Sequence, residues 1–519
     1  MKQDRCRLFP HSCWLFVFFA LSWGLRAQKH APSKDLSFTV LQLNDIYEIA
    51  PLRGSDEGGL ARVATVRRQL LQGDANTITV LSGDFVSPSL IGTLSYTDPV
   101  TKQDRKIAGK QMVDVLNKMG LDYVTFGNHE FDIRLADLQQ RIDESAFTWV
   151  NGNVYRVTPG GHSPFVKRVA GQEEPIMPYA IRKLSFPGNR TLRVGFIGAT
   201  ISFNKADSIG YADELTSFIT TYQSIREQCD VIIGITHLPK EMDSVLALKL
   251  PGLNLILGGH EHTHMRIPVG GLTVCKADAN SRTVYIHRIS WSPASRKVAV
   301  RSELKAIDKT IPADPETDQR VQYWLRLADS TLLKMGYAPG QVLMRTTLPL
   351  DGREVNVRNG STNYTRLIAD ALFYADTTVD VALYNSGSLR VDDQLMDVVT
   401  QYDVLRSLPY GGAMVTMKLN GSLLDSVLNI GTIGNRNEGG YLQVHSAEHS
   451  DNGWLIKGEL LQKDRIYTVL LPEFVAQGKE KNLGLLGHCD YSKPTGFHQH
   501  RIRHDMRDIL IAYMAEKMQ

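Results

Sequence analysis

Five short segments of this chain end in side chains that bind metal ions, and each follows an apolar run that reads as a β-strand. FTVLQL leads into Asn44-Asp45, TITVLS into Gly83-Asp84, and YVTF into Gly127-Asn128-His129-Glu130-Phe131-Asp132. DVIIGI leads into Thr236-His237, and LNLILG into Gly259-His260-Glu261-His262. Strands that end in Asp, Asn or His present those groups at one edge of a sheet, where open α/β sheets bind their ligands. Asp45, Asp84, Asn128, His237, His260 and His262 are therefore expected to converge as donors to two metal ions that support hydrolysis. A single Asp after a strand is ordinarily a helix cap, and a single His is ordinarily a hydrogen-bonded structural residue. The ordered set between residues 45 and 262 is what carries the inference.

The residue types suit distinct roles. An ionised carboxylate can share its two oxygens between cations, which makes Asp84 the expected bridge. The imidazoles of His237, His260 and His262 suit Zn, Mn or Fe. The His-x-His spacing places His260 and His262 on one side of an extended strand end. Asn128 can offer a neutral carbonyl oxygen. His129, beside it, would face substrate and protonate the leaving oxygen, with Asp132 orienting its ring. Bound metals polarise a phosphate and lower the pKa of a water for in-line attack. His264 lies just outside this set, as an outer or surface residue.

Elements that could position these groups alternate between strand-like and helix-like patterns from about 36 to 305. Residues 58–72, 108–120 and 137–146 read as helices, the second stopped at Gly120, as in sheets covered by helices. Residues 281–307 alternate with period two, as antiparallel strands do. Residues 311–336 read as a charged helix entered through a proline turn, a connector between domains. Beyond it, 361–375 reads as a helix, 380–390 as a strand and turn, and 505–518 as a last helix.

With 519 residues the chain is too long for one core. The net charge of +3 asks for neither nucleic acid nor a membrane surface, and nothing points to a partner protein. Lys2, Arg5 and Arg7 precede an apolar run at 13–25, and a small residue, Ala27, follows. That is the layout of a secretory signal spanning 1–27, and the run is too short for a membrane span. The mature chain is expected to be secreted or periplasmic, without a stable anchor. Of five cysteines, Cys229, Cys275 and Cys489 would remain after cleavage. This is no disulfide scaffold, although a Cys229–Cys275 bridge would suit an oxidising compartment.

On these motifs the chain resembles the calcineurin-like metallophosphoesterase superfamily and, within it, the 5′-nucleotidases. The resemblance covers nearly the whole mature chain. It implies an α/β fold: a four-layer αββα metallophosphoesterase domain over 36–310, a helical linker or hinge over 311–340, and a smaller α/β 5′-nucleotidase C-terminal substrate-binding domain over 341–519. It also implies a mobile hinge, because members close by domain rotation. Asp45, Asp84 and His262 would hold one metal, and Asp84, Asn128, His237 and His260 the other. His129 and Asp132 would be the catalytic pair. The cofactors would be two divalent or mixed-valence ions of Zn, Mn or Fe.

The first family motif is Asp-x-His, and here Tyr47 replaces the imidazole. Either the phenolate binds, favouring a harder ion such as Fe(III), or water or Glu48 fills the position. In the second domain the resemblance assigns Arg358, Asn385 and Arg390 to substrate, guanidinium forks being suited to phosphate. Tyr410 and Phe474 would sandwich a base. Glu480 stands in Gly478-Lys479-Glu480 where the family has Gly-Gly-Asp. The substrate would be a small-molecule phosphoester. A nucleoside 5′-monophosphate is the first reading, a broad or non-nucleotide phosphoester or cyclic diester the second, and a weakened nucleotide-binding protein the third.

Overall fold

The computed structural model describes residues 35–51, 56–97, 101–202, 207–496 and 504–517. The expected export signal lies outside the described residues. Among them, no helix is long and apolar enough to cross a membrane.

The first half builds two six-stranded mixed sheets packed face to face. In one, strands Leu36–Leu43, Ile78–Leu81, Tyr123–Val124 and Thr148–Trp149 run parallel, and Thr283–Ser292 and Lys297–Ala306 add antiparallel strands at one edge. In the other, Arg190–Thr200, Val231–His237, Leu255–Gly258 and Leu272–Lys276 run parallel between antiparallel edge strands. Between the sheets lie Phe38, Val40, Val80, Phe196, Ile233 and Leu257, all buried. Helices Leu60–Gly73, Lys110–Met119 and Leu135–Glu144 cover the outer face of the first sheet. Glu214–Ile225 and Lys240–Lys249 cover the second. The result is the four-layer αββα arrangement, with the carboxyl ends of the parallel strands meeting at one rim.

The second half centres on a five-stranded sheet in the order Leu442–His445, Val381–Asn385, Ile466–Pro472, Met414–Asn420, Tyr491–Ser492. Alternation along the strands decides its packing. Ala382, Tyr384 and Leu470 face the helices Asn363–Ala375 and Met506–Lys517, whereas Val381, Leu383 and Val469 face the helix Gly421–Asn429. Thr362 caps the first of these helices by accepting from Thr365 N, and Thr365 returns the bond.

Two expectations change. The charged helix read as a connector between domains, Pro315–Lys334, packs into the first core. Pro315 starts it, as the proline turn predicts, and Asp314 caps it, but Val321, Trp324, Ala328 and Leu332 are buried against the outer helices. Trp324 Nε1 donates to Asp114 Oδ2 at 2.7 Å, and Arg320 pairs with the same carboxylate. Cys229 and Cys275 do not form a bridge: both thiols are free. Cys229 packs among Tyr222 and Ile225 under the helices, whereas Cys275 faces Ala277 and Tyr285.

His287 illustrates how polar groups are tolerated inside this core. It is fully buried, with Nδ1 2.8 Å from Ser302 Oγ and Nε2 2.9 Å from Gln42 Oε1. Burial, with Arg266 nearby, pushes its pKa down to about 3. The unfolded chain therefore takes up a proton at this site below about pH 6.5 that the folded chain refuses. Stability is full above that pH and falls on acidification towards pH 3, by about 1.4 kcal/mol per pH unit from this group. Denaturant titrations between pH 6 and 4 should show His287→Gln with a slope shallower by that amount; parallel slopes would contradict the assignment.

Candidate active site

The rim carries the six expected donors. Asp45 and Asp84 follow their strands at φ +53° and +55°, and His260 and His262 sit at +91° and +58°. Four non-glycine residues in the left-handed region within one site is strain of the kind that clusters at functional centres. The neighbouring glycines permit the close approach of the loops. A Cβ on Gly127 would lie 2.0 Å from Asp84 Oδ1, and one on Gly259 would lie 2.4 Å from the Ser82 carbonyl oxygen.

Ligand atoms of Asp45, Asp84 and His237 all lie within 4.8 Å of one another and are buried. His237 Nε2 is 3.2 Å from Asp84 Oδ2 and 3.9 Å from Asp45 Oδ1. Its Nδ1 meets the Ser82 carbonyl at 2.8 Å, which places the proton there and leaves Nε2 with a lone pair. Nε2 is buried without a hydrogen-bond partner, and so is Asn128 Oδ1. Two orphaned donor atoms beside two carboxylates fit a metal ion, because buried polar atoms otherwise find partners. His262 joins through Asp45, with Nε2 3.3 Å from Oδ1. The ring of His260 stands 5.4 Å from that of His237, edge to face.

The electrostatics ask for cations. Burial would lower the pKa of His237, yet Asp84 and Asp45 lift it to about 9. Burial would raise that of Asp84, yet His237 and His129 hold it well below the usual carboxylate range. His260, half-buried beside His237, has its pKa pushed down to about 3 by desolvation and then by the His237 charge, and stands as a neutral donor. Tyr47 points into the cluster, its hydroxyl 3.1 Å from Asp84 Oδ2 and 2.9 Å from His262 Nε2. Burial, then Asp84 and Asp45, push the phenol well above its ordinary value. Glu48, the other residue considered for that position, is engaged elsewhere: Tyr402 Oη donates to it at 3.4 Å.

His129 Nδ1 lies 2.7 Å from Asp132 Oδ2, the pairing expected of an oriented acid. Its backbone N–H donates to Asp84 Oδ1 at 2.8 Å, tying it to the cluster.

Two family models match the chain: "Calcineurin-like phosphoesterase" over residues 38–264, and "5′-nucleotidase, C-terminal domain" over residues 342–484. The chain belongs to the 5′-nucleotidase family. It is a metallophosphoesterase-type hydrolase by membership. The 5′-nucleotidase of Homo sapiens is 22% identical over 505 residues, covering 85% of this chain and 83% of that protein. The trifunctional nucleotide phosphoesterase YfkN of Bacillus subtilis is 28% identical over 374 residues, 65% of this chain and 25% of its own length. The 5′-nucleotidase precursor from Thermus thermophilus shares the fold with a TM-score of 0.69 at 20% identity, covering 93% of this chain and 97% of that one.

The 5′-nucleotidase C-terminal domain brings its expected residues towards the same rim unequally. Arg390 is half-buried, Asp132 is the strongest anionic influence on it, its guanidinium lies 5.7 Å from the Tyr410 ring, and its buried Nε has no hydrogen-bond partner. Tyr410 Oη is 3.2 Å from Ser87 Oγ of the catalytic domain. Arg358 is paired with Glu354 at 2.5 Å. Asn385 Nδ2 donates to Glu480 Oε2 at 2.6 Å, so these two expected substrate residues hold one another. Tyr410 and Phe474 are each 49% exposed. His264 is a surface residue, 2.9 Å from Asp278.

Four residues of the site were not singled out from the sequence. Glu130 accepts from the backbone N–H groups of Asp84, Phe85, Val86 and Gly127 at 2.5–3.1 Å, fixing two ligand loops at once. Burial, then Asp84, push its pKa up to about 7. A charge between His129 and Phe131 is the signal that could have marked it. Asn44 bonds Asp45 Oδ2, and Asn280 accepts from the N–H groups of Tyr47 and Glu48. Asp392 meets His262 Nδ1 from the second domain, a contact with no local sequence signal.

Proposed function

We propose that this protein is a dinuclear-metal phosphohydrolase that cleaves nucleoside 5′-monophosphates, exported from the cytoplasm by its N-terminal segment. The observation that carries the catalytic part is the buried Asp45–Asp84–His237 group with orphaned His237 Nε2 and Asn128 Oδ1 beside the His129–Asp132 pair. In this reading Asp45, Tyr47, Asp84 and His262 would hold one ion, and Asp84, Asn128, His237 and His260 would hold the other. The ions, of Zn, Mn or Fe, would supply a polarised phosphate and an activated water. Arg390 and Arg358 grip the phosphate oxygens. His129 gives a proton to the leaving oxygen as the phosphorus–oxygen bond breaks, and Asp132 keeps the ring aimed by accepting from Nδ1. Tyr410 and Phe474, half exposed, offer faces for a base at about 1–3 kcal/mol per stacked base.

With Pro315–Lys334 built into the first core, the hinge between domains falls at residues 335–341, where Gly336 adopts φ +91°.

A broad phosphoester substrate is the second reading, favoured by one contact. The Glu480–Asn385 bond occupies the Asn385 amide that the family resemblance gives to substrate. Phosphate release from AMP beside p-nitrophenyl phosphate, with Mn(II) added, separates the two. We expect kcat/KM for AMP at least tenfold higher, falling to parity in Phe474→Ala. Equal rates for the two esters in the unmodified protein would favour the broad reading.

A further inference from the structure

Each imidazole that approaches Asp45 or Asp84 needs its outer nitrogen fixed if the inner one is to face a metal. For His237 the catalytic domain provides this itself, through the Ser82 carbonyl. For His262 it does not. The group at His262 Nδ1 is the carboxylate of Asp392, from the substrate-binding domain, 130 residues further along the chain. That carboxylate is itself held: its Oδ1 accepts from the backbone N–H of Glu354 at 2.5 Å. The next residue, Asp393, pairs with Arg282 of the catalytic domain at 3.1 Å. Two residues earlier, Arg390 reaches the neighbourhood of Asp132. One short segment, 390–393, thus bonds to the catalytic domain at two points, His262 and Arg282, and sets the Arg390 charge where Asp132 feels it.

We propose that Asp392 is a positioning residue for His262, so that the first metal position is fully assembled only when the two domains are together. This rests on reading His262 as a metal ligand. A carboxylate at Nδ1 fixes the tautomer, holds the ring plane and makes Nε2 a stronger donor. Tyr47 sharpens the need. The position the family gives to an imidazole holds a phenol here, and that phenol shares a hydrogen bond with His262 Nε2. His262 is the imidazole that meets both Asp45 and Tyr47, and its alignment comes from the other domain. Linkage is reciprocal: if closure strengthens metal binding, metal binding favours closure.

The test is Zn(II) affinity, measured by competition with a chromogenic chelator on the full chain stripped of metal. The variants are Asp392→Asn, Asp393→Asn and His262→Ala, each checked for folding by circular dichroism. We expect Asp392→Asn to weaken one of two Zn(II) ions by about 10–100-fold and leave the other alone. Asp393→Asn loses the Arg282 pair but not the His262 contact, so it should stay close to the unmodified affinity. Unchanged binding in Asp392→Asn, or an equal loss in Asp393→Asn, would overturn the proposal. His262→Ala should lose the same ion. If it does and Asp392→Asn binds normally, only this inference fails. If His262→Ala keeps both ions at full affinity, the ligand assignment beneath it fails too. Solution scattering gives a second readout: chelation should expand the unmodified protein, and an unchanged radius of gyration would contradict the coupling.

Discussion

Asp84→Asn lowers phosphate release by about 10³-fold or more while the protein keeps its fold. In the proposed arrangement Asp84 is the carboxylate shared by both ions, and its two oxygens have different partners. Oδ2 faces His237 Nε2 and Tyr47, and Oδ1 accepts from the His129 backbone. An amide keeps the shape but loses the charge and one acceptor. Preorganised electrostatic stabilisation is commonly the largest single contribution to a rate enhancement, a single donor being worth about 10²–10³. Losing the shared charge also weakens both ions, which multiplies the effect. The fold should survive, because Asp84 is not what holds its loop. Glu130 accepts from Asp84 N, Phe85 N and Val86 N. Steady-state rates with saturating Mn(II), beside thermal melting, check both halves. Near-normal turnover would remove Asp84 from the bridging role.

His129→Ala should cost about 10²–10⁴-fold in kcat and leave metal content and KM close to normal. The ring contacts Asp132 through Nδ1, and its backbone, not its side chain, bonds Asp84. Burial would lower its pKa, but Asp132 and Asp84 raise it, so the ring can carry the proton that a leaving oxygen needs. An ester with a good leaving group needs that proton less. The loss should therefore be smaller for p-nitrophenyl phosphate than for AMP. Loss of a metal ion from this variant would instead make His129 a ligand.

How much of this could be read from the sequence depends on how local each signal is. The ligand strands are legible because an apolar run and its terminal Asp, Asn or His are contiguous, and parallel strands fix which edge those ends share. The helices at 60–73, 110–119 and 135–144 are legible for the same reason, Gly120 ending the second at φ +88°. The Pro315–Lys334 helix was misplaced, not missed. Its many charges suggest a solvated connector, but Val321, Trp324, Ala328 and Leu332 form a stripe along one face. Asp392 was illegible, because its partner His262 lies 130 residues away in another domain. Nor does spacing reveal that Asn385 and Glu480 would be spent on each other.

A site with Tyr47 in place of an imidazole is expected still to hold two ions. Inductively coupled plasma mass spectrometry of the purified chain, after dialysis against metal-free buffer, counts those ions. We expect close to two transition-metal ions per chain, falling below one in Asp84→Asn. One ion or none in the unmodified protein would contradict this expectation and leave a family member that binds its substrate without the dinuclear centre.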